Sequence, residues 1–259
     1  MKKILFTGAR SGIINKVIDN IINSYYVYVT VHTENELSII KEKYKNYENV
    51  KCFKLDVTSK EDRKAIENLD IDIFVSNAAD GESGSIAEID MSKVRNNFEI
   101  NVFSNFEIVQ IVLKNMIKKG QGRIIMISSI AGIIPVPFLE SYCATKASII
   151  KLTEALNLEL KLLDCNIDVC LITPGLYKTG FNQMMFDKKY EWMDIDSYFK
   201  KQISIIKKSE NIILTLFEKK NLDSIVKKIT KAIVSKKTHF IYSAPFSQYL
   251  FSKIYRLFF

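Results

Sequence analysis

Histidine and cysteine are scarce in this 259-residue chain. The two histidines, His32 and His239, and the four cysteines, Cys52, Cys143, Cys165 and Cys170, show no close-paired spacing. Neither a zinc site nor a small disulfide framework is therefore expected, and reduced thiols in the cytosol are the default. No run of eighteen uninterrupted apolar residues occurs, which excludes a helical membrane span. The apolar start from Met1 to Phe6 meets Thr7-Gly8-Ala9-Arg10 too early for a signal-peptide core and reads as a first strand. Long blocks of like charge are also missing. The 37 basic and 29 acidic side chains give a net charge of +8, a modest attraction for phosphates and anionic surfaces. No nucleic-acid motif accompanies it, so nucleic acid is not an expected partner. Linkers, internal repeats and low-complexity segments are absent, and 47% apolar content over this length suits one domain spanning 1–259.

What is present is a regular alternation. Strands are expected from Lys3 to Thr7, Tyr25 to His32, Val50 to Leu55, Ile71 to Ser76, Arg123 to Ile127 and Ile167 to Ile172, with a last one from His239 to Tyr242. Between them lie helices to about Asn23, from Glu34 to Tyr44, from Ser59 to Asn68, from Met91 to Lys118, from Ser141 to Leu163 and from Leu222 to Ser235. Ser59 with Asp62 three residues on reads as a capping box, and Gly120 ends the long helix. Alternation at short spacing requires crossover connections and a parallel, doubly wound sheet of Rossmann type with helices on both faces.

The chemistry concentrates in Ser128-Ser129-Ile130-Ala131-Gly132 and Ser141-Tyr142-Cys143-Ala144-Thr145-Lys146. On a helix Tyr142 and Lys146 stand one turn apart on the same face. An ammonium there should lower the phenol from its usual value of ~10 and let it exchange protons near neutrality. Tyr-x-x-x-Lys alone is commonly a solvated pair, so its weight comes from its surroundings. Ser129 lies just past a strand end, at the carboxyl edge where open α/β sheets bind ligands. Gly8 and Gly12 form a turn between the first strand and first helix, where glycines and free helix N–H groups accept a dinucleotide pyrophosphate.

Together these residues identify a resemblance to the short-chain dehydrogenase/reductase family. Thr7-Gly8-Ala9-Arg10-Ser11-Gly12-Ile13 resembles its TGxxxGIG, Asn77-Ala78-Ala79 its NAAG, and Ser129, Tyr142 and Lys146 its Ser…YxxxK. Asn101 matches the asparagine of the long helix, Asp56-Val57 the adenine-side acid, and Pro174-Gly175 with Tyr177 and Thr179 the nicotinamide-side loop. The resemblance implies carbonyl–alcohol interconversion by hydride transfer to or from a bound nicotinamide. It makes Tyr142 the general acid or base, Ser129 the partner of the reacting oxygen, and Lys146 the residue that lowers the phenol pKa and holds the ribose. Asn101 would seat a water linking Lys146 to solvent. It also implies a homodimer or homotetramer in the cytoplasm.

Two positions depart from the pattern: Ile14 replaces the third motif glycine, and Asp80 stands where the motif's glycine would be. Ile14 should push the first helix outward or find a gap, and Asp80 should need an unusual φ. Ile14 is also what favours a rival reading, a catalytically weak dinucleotide-binding sensor or scaffold. No acid ends the second strand, and Glu34 comes late. Arg10 and His32 could face a 2′-phosphate, so NADP is favoured over NAD, although Ser11 stands where many NADP users carry a basic residue. A specialised dehydratase or epimerase could use the same site. The aromatic and methionine-rich segment 177–220 reads as a lid over an apolar carbonyl or alcohol substrate, or simply as the core of an added helical layer. The aromatic tail 246–259 has three readings: an amphipathic helix on a membrane surface, an oligomer contact, or a cover for the chain's own sheet edge. The last two are the commoner meanings.

Overall fold

The structure is a computed structural model that describes residues 1–258; Phe259, the last residue of the predicted tail, lies outside them. In chain order the elements are β1 (Lys3–Phe6), α1 (Gly12–Ile21), β2 (Tyr26–Val31), α2 (Glu34–Tyr44), β3 (Val50–Lys54), α3 (Lys60–Glu67), β4 (Ile73–Ser76), α4 (Met91–Phe98), α5 (Ser104–Lys119), β5 (Gln121–Ile127), α6 (Glu140–Leu160) and β6 (Asn166–Pro174). Then follow α7 (Phe181–Lys188), α8 (Tyr190–Met193), α9 (Ile203–Phe217), α10 (Asp223–Val234), β7 (Ile241–Ala244) and α11 (Phe246–Phe258). The strands form one parallel sheet in the order β3-β2-β1-β4-β5-β6-β7. The chain reverses its winding between β1 and β4, which opens a crevice at the carboxyl ends of those strands.

Alternate residues of each central strand feed two separate cores. Ile4, Phe6, Val75 and Ile125 pack with α1, α2 and α10 on one face. Leu5, Phe74, Ile124 and Met126 pack with α5 and α6 on the other. Burial on both faces explains why the strands read as continuous apolar runs. Ile14 needs no outward shift of α1: it is fully buried in the first core beside Val17 and Ile18. Asp80 likewise has an ordinary φ, since Phe138 is the one non-glycine residue with positive φ among those described.

Three local expectations are corrected. The helix from Met91 to Lys118 is α4 and α5 joined by a π-helical stretch, Glu99–Phe103. At α3 the Ser59 hydroxyl accepts from Asp62 N at 3.1 Å, but Asp62 reaches past the cap to Asp56 N at 2.8 Å. The reciprocal box forms instead at α2, between Thr33 and Glu36. The last strand starts two residues later than expected, at Ile241.

Arg123 couples the interior strand β5 to α10. Its buried guanidinium meets Asp168 at 2.8 Å and donates to the carbonyls of Ala232, Ile233 and Ser235 at 2.7–2.9 Å, satisfying acceptors that the end of α10 leaves open. Arg123→Met would strand three carbonyls and a carboxylate. A stability loss of roughly 3 kcal/mol is expected, measured as a shift in the urea midpoint; an unchanged midpoint would contradict the role assigned to this arginine.

Candidate active site

The loops after β1, β4, β5 and β6 meet at the switch point around a cleft of about 1380 Å³. Of the residues singled out from sequence, Gly8, Arg10, Ser11, Gly12, Ile13, His32, Asp56, Val57, Asn77, Ala78, Ser129, Tyr142, Lys146, Pro174, Gly175, Tyr177 and Thr179 all line it. Ile14 does not.

At one end the backbone is packed tightly. Gly8 has φ +61°, and a Cβ there would lie 2.8 Å from Ala78 Cα, so only glycine lets the first turn approach the β4 loop. Thr7 clamps that loop: its Oγ1 accepts from Asn77 N at 3.0 Å and Ala78 N at 3.1 Å. Asn77 Nδ2 donates back to Gly8 O at 2.8 Å. Gly12 opens α1 with almost nothing above it, and Ser11 caps no N–H with its side chain. The first turn of α1 carries no acid. Free N–H groups at a helix N-terminus, beside a glycine cradle, fit the pyrophosphate of a dinucleotide.

The end of the cleft beside β2 and β3 holds a residue that sequence reasoning missed. Glu36 lines the cleft, receives Arg10 at 2.9 Å, and accepts from the backbone N–H of His32 at 3.0 Å. Burial alone would raise its carboxyl, but Arg10 and the His32 and Thr33 amides hold it below the usual range. The signal was Thr33-x-x-Glu36: in a capping box the acid turns back toward the strand end. Asp56 sits 3.5 Å from His32 Nε2. Burial opposes its charge, yet hydrogen bonds from Thr58 and the nearby imidazole hold its pKa low.

At the other end β5 and α6 bring Ser129, Tyr142 and Lys146 together. Ser128 donates to Lys146 O at 2.8 Å. A Cβ on Gly132 would strike the Lys146 carbonyl carbon at 2.6 Å, so the serine loop lies directly against the helix. Lys146 is almost fully buried, donates to Ile127 O at 3.2 Å and sits 5.6 Å from the Tyr142 ring centre. The expected lowering of the phenol pKa by this lysine is not what the folded cleft shows. Burial pushes Tyr142 up, the Ser129 hydroxyl pulls the other way, and Cys143 adds to the rise. The reason lies in the burial of the phenol itself, and the same burial lowers the Lys146 pKa to about 8.

Asn101 does not reach the cleft. The π-helical stretch turns it inward, where Nδ2 donates to Asp80 O at 2.8 Å and Thr145 Oγ1 at 3.0 Å, and Oδ1 accepts from Asp80 N at 2.8 Å. Single-turn π insertions of this kind frequently mark functional sites. Asp80 uses its carboxylate elsewhere, on Lys188 of α7 at 2.8 Å. The segment α7–α9 contributes an apolar wall. Phe181 packs on Tyr142 with ring centres 5.9 Å apart, and Met185, Phe186 and Ile213 continue the lining. Behind it the buried Lys189 ammonium pairs with Glu210 at 2.7 Å, and Tyr190 donates to the same carboxylate at 2.5 Å.

A family profile described as short chain dehydrogenase matches residues 2–190. The chain is 30% identical over 217 residues to a 3-ketodihydrosphingosine reductase of Bacteroides thetaiotaomicron, covering 80% of this chain and 76% of that one. It is 28% identical over 190 residues to an NADPH-dependent 3-dehydrocapnine reductase of Ornithobacterium rhinotracheale, covering 69% and 66%. Its fold matches a short chain dehydrogenase/reductase from Burkholderia phymatum in complex with NAD, with a TM-score of 0.81, 17% identity, and 97% and 92% of the two chains covered.

The lysine gives a pH signature. Because Lys146 binds its proton less tightly folded than unfolded, the unfolded chain carries more protons between about pH 8 and the ordinary lysine range. Lys146 therefore makes stability rise with pH across that window. Urea midpoints of the parent should climb relative to those of Lys146→Met as pH rises from about 8 to about 10; parallel curves would show that the lysine is not desolvated.

Proposed function

The chain belongs to the short chain dehydrogenase family, and from that premise we propose that it interconverts an apolar carbonyl compound and its alcohol with NADP, Tyr142 serving as the proton donor. The observation that carries this reading is the placement of Tyr142, Ser129 and Lys146 on one floor, between a glycine cradle and an apolar wall. A nicotinamide supplies the hydride when bound. Gly8, Gly12 and the amides opening α1 would hold its pyrophosphate, and Asp56-Val57 and Asn77-Ala78 would flank the adenosine. Pro174, Gly175 and Thr179 would line the nicotinamide side.

Within the cleft each side chain has a separable task. Tyr142 stays protonated because its surroundings are apolar, which suits a donor of a proton to a carbonyl oxygen. Ser129 shares that oxygen and the phenol through its hydroxyl. Lys146, able to lose and regain its proton near pH 8, can return a proton toward the phenol after each turnover. Asn101 acts as a positioning residue, holding the Asp80 backbone against α6. The wall from Phe181 to Phe217 excludes water as a lid would and favours an apolar substrate. The sensor reading loses its main support, since Ile14 occupies the core and leaves the cradle open.

The cofactor preference rests on Arg10 and His32, two basic groups that can meet a 2′-phosphate. Glu36 favours the opposite, because a carboxylate at the end of β2 is where NAD users hold the ribose hydroxyl. With NADP as cofactor, Arg10 would hold the 2′-phosphate in place of Glu36.

Tyr142→Phe should lower turnover by roughly a thousandfold on a medium-chain ketone while NADPH still quenches or enhances fluorescence with unchanged affinity. Equal turnover would remove Tyr142 from the chemistry. Arg10→Ala should reduce kcat/KM for NADPH by roughly tenfold with little change for NADH, and Glu36→Gln should raise it. A parent that prefers NADH, and loses that preference in Glu36→Gln, would assign the cofactor as NAD.

A further inference from the structure

The two helices beside the open side of the cleft carry apolar residues outward. In α11 the buried side chains are polar: Gln248 bonds Leu176 N at 2.8 Å and Phe217 O at 2.7 Å, and Ser252 is fully enclosed. Phe246, Leu250, Ile254, Leu257 and Phe258 face solvent, with Phe246 71% and Leu257 82% exposed. These positions recur at three and four residues and share one helix face. In α9 Ile203, Ile206 and Leu214 pack inward with Glu210, yet Ile205, Ile212 and Leu216 still point outward, two of them 68% exposed. Ile213, Phe217 and Phe251, on the adjoining faces, line the cleft and are themselves exposed. Ile213, Phe217 and Phe251 thus link the apolar wall of the cleft to the exterior, where Lys208, Asn211 and Thr215 flank Ile212 and Leu216.

The charge around this surface is mainly basic. Helix α11 contains no acid and carries Lys253 and Arg256. Lys200, Lys201, Lys207 and Lys208 border or enter α9, and Lys219 and Lys220 follow it. Glu210 is neutralised by Lys189 and Asp194 pairs with Lys207 at 3.0 Å, while Glu218 accepts from the neutral Asn182 amide and keeps its charge, so basic groups outnumber acids here. Exposed apolar residues gathered on one helix face mark an interaction site, and an apolar helix face edged with Lys and Arg matches an anionic lipid interface. A second copy fits less well, because a twofold contact would set this basic face against itself.

We propose that the outer faces of α9 and α11 seat on an anionic bilayer surface, so that the mouth of the cleft opens onto lipid. Docking stands on exposure and charge; that it delivers a lipid-like carbonyl substrate rests on the oxidoreductase reading above. The embedded face is shallow, as in an interfacial helix, and no helix among the described residues is long and apolar enough to cross the membrane.

Flotation of the full chain with phosphatidylcholine vesicles, with and without phosphatidylserine, tests the docking directly. The chain should float with the phosphatidylserine vesicles and less so at high salt. Leu250→Glu with Leu257→Glu should lower partitioning by roughly tenfold or more, with turnover of a water-soluble ketone unchanged. Lys253→Glu with Arg256→Glu, which alters charge and leaves the apolar face intact, should weaken binding to phosphatidylserine vesicles. Absence of flotation, or flotation indifferent to both variant pairs, overturns the proposal. So does a parent that stays off vesicles yet sediments as a dimer that the leucine variants dissociate, which would assign the face to a second copy. A chain that floats as expected but reduces no ketone would count against the oxidoreductase reading alone.

Discussion

The site depends on how closely one loop lies against one helix. The Ser128 hydroxyl takes the carbonyl of Lys146, and Gly132 leaves no room between the serine loop and that same peptide. This contact fixes the height of α6 over the end of β5, and with it the depth at which Tyr142 and Lys146 sit. Depth then sets their protonation. A phenol and an amine removed from water both favour their neutral forms. The pair therefore holds a proton ready to give and a nearby acceptor that titrates near pH 8. A more open junction would leave both groups solvated and ordinary.

The cofactor end follows the same logic with backbone in place of side chains. Thr7 and Gly8 bind the β4 loop so closely that only a glycine fits, and this proximity leaves the amides of α1 facing the cleft. The two ends are joined through Asp80. Its backbone is held by Asn101, and its carboxylate holds Lys188 at the end of α7, so the wall over Tyr142 is anchored to the strand that carries the Asn77 loop. That linkage accounts for an aspartate where the resembling pattern has glycine.

The sheet, its winding and the cleft-facing loops were legible because they follow from local signals: alternating apolar runs, a glycine turn, and a Tyr-x-x-x-Lys spacing. What was not legible depended on direction. Glu36 was overlooked because its position in sequence lies beyond the strand, and only the capping geometry turns it back. The inward aim of Asn101 comes from one wider helical turn, which leaves no mark on the apolar period. Ile14 read as an obstacle because its sequence neighbours gave no view of the gap among Val17, Ile18 and the strands. The pKa direction of Tyr142 is not legible in sequence because the Tyr-x-x-x-Lys spacing shows the neighbouring charge and not the depth at which the phenol is buried. Helix α11 contains the apolar residues expected, yet the face it turns outward is decided by the buried Gln248, whose partners Leu176 and Phe217 lie far away in sequence.

Burial, more than the neighbouring charge, governs the protonation of Tyr142 and Lys146. Titration of the free protein carrying labelled tyrosine and lysine, followed by nuclear magnetic resonance and assigned with Tyr142→Phe and Lys146→Met, tests it most directly. The account predicts that the Tyr142 ring carbon shows no transition below about pH 10, while the Lys146 amine titrates near pH 8. A tyrosine that ionises near neutrality beside a lysine still charged above pH ~10 would contradict it.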